Sequence, residues 1–321
     1  MLLLVPLIYT MSCVCSVSTQ DQPEVLMKNV LVLRVPHEIS TKVHVPLTCG
    51  EAHQNKLLFW KKNGLELEPA LQGNKVKVLV EDKDGGNYTC HLSKNGEYLN
   101  HTVIMVRLNP DNRLVILEKQ SPEEGHIHCS APNYTGSFQC TWKKTRSRSH
   151  AAVLLVKAEW NLEQIPCELN ADGSGLSCQH ANCPYREEKH GISLTVYMYS
   201  YALLEAYKKA FYLRDIVRPE KVPNLRIING NFSWSYPDSW EKPCTYFRLH
   251  FQVKMVRNKQ NCDSEDSILH TTSEETTYKV DYKTRKYVFC VRAQDRYTNG
   301  PFSPWSHCIV KKPHLTCQPE P

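Results

Sequence analysis

Cysteine usage constrains this chain more than any other feature. Fourteen cysteines in 321 residues are metal ligands, catalytic thiols or disulfides, and the N-terminus decides among these. Residues 1–17 are almost wholly apolar or small, from Leu2-Leu3-Leu4-Val5 onward, and small residues stand at Ser16 and Ser18. Residues 1–18 therefore read as a cleaved secretory leader, although a charged leading region is missing. Secretion puts the remaining cysteines in an oxidising compartment, where they pair as disulfides. Removal of the leader takes Cys13 and Cys15 with it and leaves twelve of the fourteen. Residues 151–156 and 192–201, the most apolar later stretches, have strand length and are too short to span a bilayer. The polar C-terminus lacks the hydrophobic tail of a lipid anchor. The mature chain is expected to be secreted and extracellular, with no membrane insertion. Sequons at Asn87, Asn100, Asn133 and Asn231 agree with N-glycosylation. A net charge of +6 is modest and gives no reason to expect a nucleic-acid partner.

Within residues 22–108, the runs 43–49 and 75–80 alternate apolar with polar residues, the period of a half-buried strand. Trp60 follows Cys49 by the distance between strands B and C of an immunoglobulin sandwich. Tyr88, two residues before Cys90, stands where the tyrosine corner ties the E–F turn to strand F. A Cys49–Cys90 bridge packed on Trp60 would staple a small core.

Residues 109–217 hold two local cysteine pairs. Cys129 and Cys140 flank the turn Ala131-Pro132-Asn133-Tyr134-Thr135-Gly136, and Cys167 and Cys178 flank Asn170-Ala171-Asp172-Gly173. Cys183 is left over. Prolines at 219 and 223 stiffen residues 214–223 into a short linker. In residues 218–321, Phe247, Leu249, Phe251 and Val253 alternate with polar residues. Tyr287, Phe289, Val291 and Ala293 alternate with Val288, Cys290, Arg292 and Gln294, which predicts one buried and one open face per strand. A hairpin closing near Arg296 and Phe302 would set Cys290 opposite Cys308, leaving Cys244, Cys262 and Cys317 unassigned. Residues 201–210 are ambiguous between helix and strand. The fold class is all-β, as three tandem β-sandwiches.

The Cys129/Cys140 pair followed by Thr141-Trp142, the Cys167/Cys178 pair, and Phe302-Ser303-Pro304-Trp305-Ser306 resemble the signatures of the class I cytokine receptors. The last departs from the family's Trp-Ser-x-Trp-Ser box at its first position, where Phe replaces Trp. Longer stretches (133–136, 211–216, 233–238 and 291–297) resemble the secreted, receptor-like cytokine chains related to that family, over essentially the whole mature length. The resemblance implies two fibronectin type III-like domains after the immunoglobulin-like one. It implies a ladder of Arg292 and Arg296 between Phe302 and Trp305. It further implies a subunit that binds a four-helix-bundle alpha chain, forming a covalent heterodimeric cytokine whose first domain faces a cell-surface receptor. The interchain disulfide would fall on Cys183, to the alpha chain or to a second copy of this chain as a homodimer. Fold geometry brings the turn bearing Tyr134, the loop bearing Tyr246 and the loop bearing Asp295 and Tyr297 to one elbow between the two later domains. By resemblance these four positions form an arginine-accepting pocket for the alpha chain.

Several residues admit a second reading. The alternative reading of Asp295 is a cap of its own turn. A glycan on Asn133 would stand beside Tyr134 and obstruct the elbow. Cys178, His180 and Cys183 lack a fourth ligand for zinc, and His126 and His128 share a strand face without further ligands, so no metal is expected. The basic stretch 143–150 is either a solvated loop or a site for heparin-like glycans. No Ser–His–acid spacing, phosphate loop or metalloprotease helix occurs, so neither enzyme chemistry nor a cofactor is expected. The rival functions are a soluble cytokine receptor or decoy that binds a complete cytokine reversibly, and an adhesion protein, for which an Arg-Gly-Asp motif is missing.

Overall fold

The computed structural model describes residues 23–36, 40–94, 96–109, 114–180, 188–241, 248–280, 286–311 and 316–318. The expected leader, Cys183, Cys244 and Tyr246 lie outside them. The chain divides into two compact units, residues 1–113 with 201–204, and residues 114–200 with 205–321.

The first unit contains β1 (Glu24–Met27), β2 (Val30–Pro36), β3 (Lys42–Thr48), β4 (Phe59–Lys62), β5 (Leu65–Glu66), β6 (Lys75–Glu81), β7 (Gly86–His91) and β8 (Tyr98–Asn109). Period-two patterning drives β3 and β6 together as an antiparallel pair, with Val45, Leu47, Val76, Val78 and Val80 turned inward. The facing sheet runs β5–β4–β7–β8, with β2 parallel to β8. Cys49 and Cys90 bond across the core, Cα atoms 6.0 Å apart. Trp60 is buried beside them and donates its indole N–H to Gly73 O at 2.9 Å, so its one polar atom is satisfied. The Tyr88 ring is buried with the Lys62 ammonium 5.7 Å from its centroid, and Lys62 bonds Asp84 at 2.6 Å.

The second unit opens with a sandwich of two sheets. One runs β13 (Cys167–Leu169), β14 (Gly175–Gln179), β10 (Ser137–Thr141), β9 (His128–Ser130). The other runs β12 (Glu163–Gln164), β11 (Ala152–Trp160), β15 (Ile192–Ser200), β16 (Leu203–Phe211). Both local disulfides are cross-strand: Cys129–Cys140 joins partner residues of β9 and β10, and Cys167–Cys178 joins partners of β13 and β14. The stretch around 201–210 is a strand: Leu204, Ala206 and Tyr207 are buried, and Tyr207 and Phe211 join the core of the sandwich. Glu205 is buried as well. Its carboxylate accepts the N–H groups of Val115 and Ile116 at 3.0 and 2.9 Å and the hydroxyl of Tyr207. A single turn of helix, α1 (Leu213–Ile216), ends the sandwich, and Glu188 accepts its first two N–H groups.

The third sandwich stacks the sheet β17 (Arg226–Ile228), β18 (Asn231–Ser233), β21 (Thr277–Lys279) on the sheet β20 (Leu269–Ser273), β19 (Leu249–Arg257), β22 (Lys286–Asp295), β23 (Ser306–Lys311), β24 (Thr316–Gln318). Phe232 stacks on Phe289 at 3.6 Å between the sheets.

Two expectations for this sandwich need correction. Cys290 does not bond Cys308. The β22–β23 register pairs Phe289 with Cys308 and Cys290 with His307, one residue away from the expected alignment. Such a slip turns the two side chains to opposite faces. Cys290 instead bonds Cys262 and Cys308 bonds Cys317, with Cα separations of 5.9 and 5.2 Å. The supposed open face is also largely covered. Val256, Cys262, Val288 and Cys290 form a second small apolar cluster, capped by Trp305 and Ile309.

Candidate partner-binding elbow

The β9–β10 turn, the linker and two loops of the third sandwich meet at one corner of the second unit. The linker is stitched to the turn: Ala131 N donates to Ile216 O at 2.9 Å and Arg218 N returns to Ala131 O at 2.7 Å. It is stitched to the third sandwich too, through Arg218 Nε to Phe302 O at 2.8 Å and Ser306 Oγ to Val222 O at 2.5 Å. Proline at 219 and 223 leaves few backbone donors here, so side chains supply the remaining bonds.

Asn133 builds the turn. Its Oδ1 accepts Thr135 N at 2.8 Å and Thr135 Oγ at 2.6 Å, an Asx turn. Its Nδ2 donates to Ser239 O at 2.7 Å, and the residue is 4% exposed. This sequon is therefore not offered to solvent, unlike Asn87, which is exposed on β7. Asn100 and Asn231 are half-buried, and Asn100 Nδ2 donates to Cys49 O at 3.1 Å.

Tyr134, next in sequence, reaches across the elbow. It is 3% exposed, lies edge-on to Trp240 with centroids 6.1 Å apart, and donates its hydroxyl to Asp295 Oδ2 at 2.5 Å. Burial first, then the bond to Asp295 and its charge, pushes the phenol above the ordinary tyrosine range, so the hydroxyl remains a neutral donor. Asp295 ends β22 and is 0% exposed. Its Oδ1 accepts Tyr297 N at 2.8 Å, and its Oδ2 also accepts Thr298 Oγ at 3.1 Å. The turn-capping geometry weighed from sequence is thus present. Asp295 itself is wholly covered, while Tyr297 is 62% exposed. Sequence reasoning missed Trp240 and Ser239, whose short helical loop carries no motif. It also gave Asn133 no part in the hydrogen bonds that close the turn.

Beside the elbow stands the cation–π stack. The Arg292 guanidinium lies 4.1 Å from the Phe302 ring and 4.3 Å from the Trp305 ring, and its Nε donates to Gln252 Oε1 at 2.7 Å. Trp305 is held by Asp263, its indole N–H donating at 3.0 Å. Burial lowers the Arg292 pKa. Arg296 does not join the stack. It follows Asp295, where the strand has turned away, and pairs with Glu274 at 2.8 Å instead. In the basic stretch 143–150, Lys143 pairs with Glu118 at 2.9 Å, Lys144 donates to Ala151 O at 3.0 Å and Arg148 to Ser200 Oγ at 3.2 Å. His128 meets Glu124 at 3.1 Å, while His126 lies edge-on to Tyr207.

Three disulfide-stapled sandwiches with this arginine stack define a receptor-like cytokine chain, a binding class and not a catalytic one. Residues 124–200 match the family model described as the cytokine interleukin-12p40 C-terminus. The chain is 29% identical to interleukin-12 subunit beta of Marmota monax over 88% of its length and 91% of that protein. It is 28% identical to the Felis catus subunit over 88% and 91%, and 27% identical to the Homo sapiens subunit over 82% and 85%. Over most of its length the chain is thus similar to interleukin-12 subunit beta, and it is a cytokine subunit. Among the described residues no helix is long and apolar enough to cross a membrane.

Proposed function

We propose that the chain is secreted and captures a four-helix alpha chain at the elbow formed by Tyr134, Asp295 and Tyr297, with Tyr246 as a fourth contributor. The observation that carries this reading is a fully buried carboxylate whose described donors, Tyr134, Tyr297 N and Thr298, are all neutral. Burying a charge without an opposite one is costly. A guanidinium from a partner would form a charge-assisted pair with it, displacing the Tyr134 hydroxyl. The exposed Tyr297 ring offers contact area at low rotamer cost. Asp295 also caps its turn, so the test needs two variants. Asp295→Asn keeps an acceptor for Tyr297 N and removes the charge, while Asp295→Ala removes both. Co-expression with tagged four-helix cytokine chains and capture from the medium should show both variants weakened at least about 30-fold, the loss of a hot spot of about 2 kcal/mol. Capture that survives in Asp295→Asn would reduce Asp295 to a turn cap.

The first sandwich is proposed to face the cell-surface receptor, and Cys183 to carry the interchain bridge, to the alpha chain or to a second copy. A non-reducing gel of the medium, with Cys183→Ser alongside, should show a covalent species that the variant lacks. Monomer alone would favour the soluble-receptor reading. Lys143, Lys144 and Arg148 have partners within the chain, which supports the solvated-loop reading of 143–150 over heparin-like glycans.

A further inference from the structure

The sequon Asn133-Tyr134-Thr135 sits inside the elbow, and its asparagine already has a structural task. We propose that Asn133 stays unglycosylated in the folded chain, because a glycan on this nitrogen is incompatible with a closed elbow. Its occupancy would then decide whether the elbow forms. The inference concerns the elbow itself. It rests on the proposed function only in that this elbow is taken as the partner site.

Transfer of an N-linked oligosaccharide forms a bond between Nδ2 and the anomeric carbon of the first sugar. One Nδ2 proton leaves, and the lipid-linked pyrophosphate departs from that carbon. One N–H of Asn133 is committed to Ser239 O at 2.7 Å, and the side chain is 4% exposed. The space beside the second N–H is therefore protein, and a bulky sugar cannot occupy it. Oδ1 is held by Thr135 N and by the Thr135 hydroxyl, so the sequon's own hydroxyl points into the turn. A chain glycosylated here before folding would have to swing Asn133 outward. That motion breaks the Ser239 bond and pulls on Tyr134, the adjacent residue, which carries the Trp240 and Asp295 contacts. Asn87 is the opposite case, an exposed asparagine on a strand.

Glycopeptide mass spectrometry of the secreted wild-type chain is the first test. Asn133 should be recovered bare while Asn87 carries glycan in the same preparation. Glycan on the larger part of Asn133 in folded, secreted chain would overturn the proposal. Limited trypsin digestion at the Lys221–Val222 bond of the linker then reads the elbow directly. Thr135→Ala deletes the sequon and one of the two bonds to Oδ1 but keeps the Asn133 bond to Ser239, so it should raise the cleavage rate clearly less than Asn133→Ala does. Asn133→Ala should raise it by roughly tenfold, the loss of one well-formed bond of about 1.4 kcal/mol. Equal rates for Asn133→Ala and wild type would overturn the role of Asn133 in closing the elbow. Loss of alpha-chain capture in the Asp295 variants is a separate readout, so the partner reading can fail while Asn133 is still found bare.

Discussion

At the scale of single residues, buried polar groups carry the sharpest expectations. Glu205 gathers two backbone N–H groups and the Tyr207 hydroxyl, which in turn accepts Leu117 N at 2.8 Å. These bonds fasten residues 115–117 to the sheet. Burial, with the Glu205 bond second, raises the Tyr207 phenol above the ordinary range, so it serves as the neutral donor to the Glu205 carboxyl group. Glu205→Ala would orphan three donors at about 1–3 kcal/mol each; a urea unfolding curve should show a loss upward of about 3 kcal/mol. His126, packed edge-on to Tyr207, gives a pH signature. Burial, then the Lys119 charge, lowers its pKa below the ordinary 6.5. The unfolded chain therefore binds this proton more readily than the fold does. The term is absent above pH 6.5 and grows as pH falls toward the folded pKa. His126→Phe should lose less of its urea midpoint than wild type between pH about 7.5 and about 5.5. Equal losses would show that this imidazole is not protected from protonation.

At the scale of elements, alternation and cysteine spacing reveal strands more reliably than they reveal pairings. The two hairpin disulfides were legible because each pair flanks its own turn, so local geometry allows little else. In the third sandwich the same logic failed by one rung. The β22–β23 register lies one residue off the expected alignment, and a one-residue shift changes the face of every side chain. The face read as open was hidden for a related reason. Trp305 folds back over β19 and β22, with the Lys254 ammonium 5.9 Å from its ring, and no local period encodes a loop's return. The corrected pairs separate 28 and 9 residues. Loop-closure entropy then ranks them, roughly 3.5 kcal/mol for Cys262–Cys290 against roughly 2.5 for Cys308–Cys317. Cys262→Ala/Cys290→Ala should melt earlier than Cys308→Ala/Cys317→Ala. Peptide mapping without reduction should recover both bonds, and a Cys290–Cys308 peptide would contradict the register.

At the scale of the whole molecule, what matters for capture is whether the second and third sandwiches hold one angle before any partner arrives. Sequence placed Tyr134 and Asp295 at this corner because strand direction alone dictates which turns lie at which end. It could not show that the corner is closed. Closure depends on Trp240 and Ser239, which meet the turn only through tertiary packing, more than a hundred positions along the chain. An elbow fixed in advance spares the partner the cost of ordering it, and such preorganisation raises affinity without adding a contact. Trp240→Ala tests this, since Trp240 is buried under Tyr134 and acts by positioning it. Removing the ring leaves a cavity of side-chain size, for which large-to-small changes cost about 3–5 kcal/mol. If the elbow is held by this packing, the Lys221–Val222 bond, whose Val222 is buried and tied to Ser306, should become accessible to trypsin. The immunoglobulin-like sandwich, stapled by its own Cys49–Cys90 bridge, should resist as before. Capture of the helical chain should fall in proportion to linker cleavage. Weak capture with an uncut linker would instead mean that Trp240 touches the partner directly, and that the angle between the two sandwiches is set by the linker bonds alone.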